Sequence, residues 1–200
     1  PERSLYWFYT NTSKRGITLD ITQPDGQELF RSLVRKADAV IESFDPGYMA
    51  SFGLSYEDLC KVKPDIVMTS VSPYGQTGPY ANFKQSNLTT WSMGGQTYIS
   101  GEADREPIQR YLHQADFQGG MQGAVGTMMA LTHRDLTGTG QHVDVSIQQA
   151  VVLTLMNCAE YYDLIKFIYR RSGAKYPKPR ANLPSFPEQI IYPCKDGHLA

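Results

Sequence analysis

The chain is poor in the residues that build most cofactor and metal sites. Its three cysteines, Cys60, Cys158 and Cys194, are odd in number and widely spaced, which fits neither a disulfide framework nor a zinc cluster. The four histidines, His113, His133, His142 and His198, show no metal-ligand spacing. Charge of one sign is also lacking: the formal net charge is −1, and the lysines and arginines are scattered. That leaves no basic field to hold nucleic acid. No apolar run approaches the roughly 20 residues that a membrane span requires, and the first residues carry no signal-peptide pattern. Internal repeats and low-complexity tracts are absent. A reducing, cytoplasmic setting is expected, with no metal and no tightly bound cofactor.

What is present is ordinary globular composition, 41% hydrophobic and 20% charged over 200 residues, enough for one or two domains with a proper core. Pro24 to Lys36 reads as a helix, with Leu29, Leu33 and Val34 at helical spacing and Pro24 in the first turn. Ala39 to Glu42 is a short buried strand. Tyr56 to Val62 is a short helix capped by Ser55, and Asp65 to Val71 is another buried strand. This alternation predicts an α/β fold with an open parallel sheet. Ser72 to Tyr80 is a Gly/Pro-rich loop, and Asn87 to Met93 is helical. Gly94 to Tyr111 has no period. Phe117 to Leu131, rich in Gly, Ala and Met, suits close helix packing, and Gly138-Thr139-Gly140 stops it. Gln141 to Ile147 alternates as a strand. Gln148 to Arg171 reads as one long helix ending in a basic turn. Four prolines between Lys175 and Pro187 predict an extended linker. Ile190 to Tyr192 and His198 to Ala200 read as two strands joined by a turn at Lys195-Asp196-Gly197. The division expected is 1–172 for part of a large domain, 173–187 for the linker and 188–200 for the start of a small one.

Asp116 is the carboxylate of interest. With a helix starting just after it, the plain reading is an N-cap. The sharper reading begins from Gly119, Gly120 and Gly123, which could let a substrate approach backbone amides. A carboxylate there could attack an activated acyl group and form a mixed anhydride. The residues alone leave both readings open. His113 is near enough to enter such a site. The glycines of Ser72 to Tyr80 could serve a phosphate or a thioester, although a plain turn accounts for them equally. Lys14, Arg15 and Lys84 are candidate phosphate partners.

Several stretches, in order, resemble the class III (family III) CoA-transferases. They are Asn11 to Asp20 (NTSKRGITLD), Ala37 to Gly47 (ADAVIESFDPG), Phe52 to Leu59 (FGLSYEDL), the loop Ser72 to Tyr80, Ala115-Asp116, and Arg134 to Ser146 (RDLTGTGQHVDVS). The resemblance covers residues 6 to 150 and about the middle half of a full-length protein, so the chain is expected to be a fragment. It implies a Rossmann-like large domain with a second, smaller domain, and two chains interlocked as a homodimer. It also implies a catalytic aspartate at Asp116, an acyl-CoA and a small carboxylic acid as substrates, and no membrane or nucleic-acid partner. CoA contacts are implied at Leu19, Asp20, Ile21 and Thr22, at Ser43, Phe44 and Asp45, near Ser51, and at Lys84, Gln85, Ser86 and Asn87. The family often carries Asn at Ser43, Arg at Ser51 and an acid at Asn87. Its racemases place a histidine near Ser86. The expected activity is acyl-CoA:carboxylate CoA transfer through an aspartyl anhydride and an aspartyl-CoA thioester. The alternatives are an isomerase or racemase of the same family, or a non-catalytic oligomerisation module.

Overall fold

Three short runs rich in β-branched residues pair side by side because none can bury its backbone alone. The computed structural model describes residues 4–155, 157–173, 175–177 and 187–199. In it β1 (Ala39–Glu42), β2 (Val67–Ser72) and β3 (His142–Ser146) form a parallel sheet in the order β1-β2-β3. Ala39 pairs with Val67, and Met68 with His142. The central strand β2 is buried along nearly its whole length. β1 was expected to be buried, but it flanks β2 on one side only and leaves Ile41 exposed.

Strand side chains alternate between faces, and each face of β2 has its own core. On one side Met68 joins Val34, Met49, Leu54, Leu59 and Ile66. This cluster is supplied by α2 (Pro24–Val34), α3 (Tyr56–Val62) and the turns between them. The apolar face of α2 runs through Phe30 and Val34; Leu29 and Leu33, expected to share it, stay about half exposed. Ser55 caps α3 as expected, its hydroxyl accepting from the Asp58 amide at 3.2 Å. On the other side Val71 packs with Trp91, Ala115, Ile147 and Val151. These come from α4 (Asn87–Met93), α6 (Gln114–Thr137) and α7 (Ile147–Leu153). The short α5 (Gln96–Ile99) lies in the stretch that showed no period, and α1 (Leu5–Thr10) precedes them all.

The single helix expected over Gln148 to Arg171 is broken. After α7, the Thr154 carbonyl accepts from the Gln96 side-chain amide at 3.0 Å. The chain restarts as α8 (Cys158–Ile165) and stops at Lys166, whose φ is 56°. Phe167, Ile168 and Tyr169 are weak helix formers; the Tyr169 ring instead meets Phe167 edge-on at 5.1 Å and lies tilted 5.7 Å from Tyr161. Arg171 caps no helix and donates to the Glu102 carbonyl at 3.3 Å.

Two antiparallel pairs follow, β4 (Lys175–Pro177) with β5 (Pro187–Gln189), and β6 (Tyr192–Cys194) with β7 (Gly197–Leu199). The ends of the expected linker thus pair as strands, and its middle lies outside the described residues. The last pair forms where a hairpin was expected, with its first strand two residues later and its second one residue earlier.

Candidate functional site

The topology gathers the candidate residues at one edge. Each of α2, α3 and α6 runs into a parallel strand through a connection of a few residues, so each runs back along the sheet and starts at the strands' carboxyl ends. In open α/β sheets that edge is where ligands bind. The contacts of α6 bear this out. A Cβ on Gly119 would lie 2.7 Å from Ile147 and 3.4 Å from Val71 at the carboxyl ends, while one on Gly126 would lie 2.7 Å from Val143 near the start of β3. Arg134, in the last turn of α6, bonds to Asp38 just before β1 at 3.1 Å. The first turn of α6, with Asp116, therefore shares an edge with Ser43 to Asp45 and with the loop after β2.

Asp116 is not the N-cap. The helix begins at Gln114, so His113 takes the cap position, without a side-chain cap bond, and Asp116 is the acid of the first turn. There the helix dipole and its unpaired first amides favour a carboxylate. Its Oδ2 lies 3.3 Å from His113 Nδ1, and both side chains are about half exposed. The Tyr6 ring from α1 stands 5.8 Å from the His113 ring and 6.2 Å from Phe117. The glycine reading is corrected as well. Gly119 and Gly123 face Ile147 and Val71, and only Gly120 has nothing within 4 Å of an added Cβ. Two of the three glycines let the helix approach the sheet; the third leaves open space one turn beyond Asp116.

Leu19 to Thr22 form a turn leading into α2. Asp20 Oδ1 accepts from the Thr22 amide at 2.9 Å and the Thr22 hydroxyl at 2.6 Å. These bonds, the hydroxyl's first, hold the Asp20 carboxyl below its usual range. The turn lies directly on α2: a Cβ on Gly26 would collide with the Asp20 carbonyl oxygen. After β1, the Phe44 amide donates to Glu42 at 2.7 Å, and the Phe44 ring lies tilted 4.8 Å from that of Tyr48. Asp45, Lys84 and Gln85 line one cavity of about 410 Å³ together with Phe83, which brings two of the sequence-predicted stretches together. Ser86 is the N-cap of α4 in a reciprocal capping box with Thr89, so no base stands where racemases of the family carry histidine. Asn87 accepts from the Gln109 amide at 3.3 Å. Ser51 bonds back to the Tyr48 carbonyl at 2.7 Å.

The glycine-rich loop after β2 is pinned rather than open. Gly75 (φ 87°) and Gly78 (φ 94°) adopt the left-handed region that favours glycine. The Gln76 amide donates to both oxygens of Asp144, at 3.1 and 3.0 Å, so a carboxylate already holds the amide that a phosphate would need. The alternation of Gln141 to Ile147 puts Asp144 on the same face as His142 and Ser146, but nothing in it indicated a loop anchor. Tyr6 was missed too; an aromatic run before the first motif was its only signal. Among the described residues, no group of three or more His, Cys, Asp or Glu could hold a metal ion, and no helix is long and apolar enough to cross a membrane.

The family model for CoA-transferase family III matches residues 1–200. The chain is 35% identical over 199 residues to the succinyl-CoA:(R)-benzylsuccinate CoA-transferase subunit BbsE of Thauera aromatica, covering 100% of this chain and 46% of that protein. It is 34% identical over 195 residues to the succinyl-CoA–D-citramalate CoA-transferase of Chloroflexus aurantiacus, covering 98% and 47%. The crystal structure of a CAIB/BAIF family protein from Brucella suis matches with a TM-score of 0.85 at 34% identity, over 98% of this chain and 50% of that one. The chain spans about half the length of the curated relatives it matches.

Proposed function

Because this chain belongs to CoA-transferase family III, we propose that it carries the covalent half of an enzyme that moves CoA from an acyl thioester to a free carboxylic acid, with Asp116 as the carrier. One observation carries the reading. The Asp116 carboxylate stands half exposed in the first turn of α6, spends no bond on capping and touches only the His113 ring among the ion pairs described. A carboxylate so held is a nucleophile that solvent and substrate can both reach.

Four displacements at carbonyl carbon complete the transfer. An Asp116 oxygen attacks the thioester carbonyl, the C–S bond breaks, and CoA leaves as thiolate from a mixed anhydride. The thiolate attacks the aspartyl carbonyl, releasing the donor's carboxylate and leaving aspartyl-CoA. The acceptor carboxylate attacks that carbonyl and expels the thiolate again. The thiolate then takes the acceptor's acyl carbon, and Asp116 is regenerated. No proton need move, so a fixed carboxylate and donors for the oxyanion suffice. The first amides of α6 are the donors we assign.

We assign the CoA to Leu19–Thr22, Ser43–Asp45 and Lys84–Asn87, with the Asp45–Lys84 cavity as its best-formed part. Ser86 serves by holding the start of α4, since its hydroxyl and its amide are both bonded to Thr89. The donor class inferred from the relatives named above is a short dicarboxylyl thioester such as succinyl-CoA. The full-length protein is read as a homodimer with a second small domain, of which β6 and β7 are the start. The test is exchange between succinyl-CoA and a dicarboxylic acid by the full-length protein and by Asp116→Ala. Loss of exchange with CoA binding retained is expected; full exchange by the variant would overturn the assignment, and α-proton exchange without transfer would replace it with an isomerase.

A further inference from the structure

The two oxygens of Asp116 meet different surroundings. Oδ2 lies 3.3 Å from His113 Nδ1. Among the described residues Oδ1 has no hydrogen-bond or ion-pair partner. His113 stands at the N-cap of α6, three residues before Asp116, a spacing that puts both side chains on one side of the first turn. Its ring makes no cap bond, and a half-exposed ion pair adds little to stability. Capping and stability therefore leave this histidine unexplained. A carboxylate can only accept, so the Nδ1 that faces it carries a proton. The Tyr6 ring, tilted at 44° and 5.8 Å away, packs beside the imidazole and itself lies 6.2 Å from Phe117.

These positions divide the chemistry between the oxygens. Oδ1 is the free nucleophile and becomes the bridging oxygen of the anhydride. Oδ2 becomes the aspartyl carbonyl oxygen. Two of the four displacements then take place at the aspartyl carbon Cγ, where the CoA thiolate adds first and the acceptor carboxylate later. Each addition opens the carbonyl and places its electron pair on Oδ2. Collapse re-forms the carbonyl, expelling the donor's carboxylate with Oδ1 in the first case and the CoA thiolate in the second. Negative charge thus appears twice on the atom that Nδ1 already faces.

We infer that His113 is a catalytic residue of the transfer: its Nδ1–H donates to Asp116 Oδ2 and stabilises the two oxyanions formed at the aspartyl carbon. The inference rests on Asp116 as the covalent carrier. The proton stays on Nδ1 throughout, so no base is needed. The first amides of α6 remain for the oxyanion at the substrate's own acyl carbon. A thioester bound over the pair displaces water from it, which strengthens the contact.

The test is exchange of labelled succinate into succinyl-CoA by full-length His113→Phe and His113→Asn, with urea unfolding to check that both fold. Phe keeps a ring beside Tyr6 and removes the donor; Asn keeps an amide donor near the place of Nδ1 and removes the ring. His113→Phe is expected to lose about a hundredfold in kcat, the usual cost of one oxyanion donor, with KM for succinyl-CoA within about twofold of the parent. His113→Asn is expected to turn over at least about tenfold faster than His113→Phe. A role in ring packing predicts the reverse order, so His113→Asn no faster than His113→Phe, or parental kcat in His113→Phe, would overturn the inference. Aspartyl-CoA formed in a single turnover, read by borohydride reduction of Asp116, separates this result from the carrier reading. A parent that forms none overturns that reading and this one with it. A parent that forms it no faster than His113→Phe overturns the donor role alone.

Discussion

The two faces of α6 follow opposite rules. Its sheet side is made of Ala115, Gly119, Gly123, Thr127 and Ala130, all buried. Its outer side carries Met121, Val125, Met128, Met129 and Leu136, all more than half exposed. Large apolar residues usually face inward and small or polar ones outward. Here the sheet comes so close that only small residues fit, and Thr127 spends its hydroxyl on Thr69 at 2.7 Å and on the Gly123 carbonyl at 2.7 Å. The inner face sets the helix's height on the sheet, and with it the position of Asp116. The outer face is an apolar stripe beginning one turn beyond Asp116, the kind of surface that further chain or a partner covers.

The comparison can be broken at several points, in falling order of effect. Asp116→Ala should cost the full-length enzyme about a thousandfold or more in transfer rate, since a covalent carrier has no substitute; a steady-state exchange assay measures it. Gly119→Val on the inner face should destabilise by about 1–3 kcal/mol, because even its Cβ meets Ile147; urea unfolding reads this, and loss of activity should track the lost stability. The outer-face double variant Met128→Glu/Met129→Glu should leave monomer stability within about 0.5 kcal/mol yet shift the full-length protein toward monomer in light scattering. Gly120→Ala, beside Asp116 but in open space, should stabilise the helix by about 0.5–1 kcal/mol; a destabilisation would mean that the space is filled.

The smallest effect concerns pH. Asp20 is held below its ordinary value by Thr22. A depressed carboxyl adds stability above its unfolded value and loses it as pH falls through the folded one. Thr22→Val should therefore lower the urea midpoint slightly near neutrality, and the two proteins should converge as the pH falls below the ordinary carboxylate range.

Much of the fold could be read from local pattern, because β2 and β3 and helices α2, α3 and α4 are each specified by residues within them. Ser55 and the Gly138 stop are local signals of the same kind. What escaped depends on contacts far along the chain. Gln96 reaches 58 residues to claim the Thr154 carbonyl, and nothing between Gln148 and Arg171 announces that break. Asp144 reaches 68 residues to the loop after β2. In α6 the glycines could be read as close packing or as substrate access, and only the positions of Ile147 and Val71 separate the two. Asp116 itself was legible as a candidate; its place in the first turn, rather than at the cap, depended on where the chain turned into the helix.

The central claim is covalent, so the most direct measurement is trapping. The full-length protein is incubated with succinyl-CoA, quenched with hydroxylamine and mapped by peptide mass. A hydroxamate on Asp116, absent from Asp116→Asn and absent without the thioester, is the predicted result. An unmodified Asp116 in an enzyme that is turning over, or a hydroxamate on another carboxylate, would contradict it.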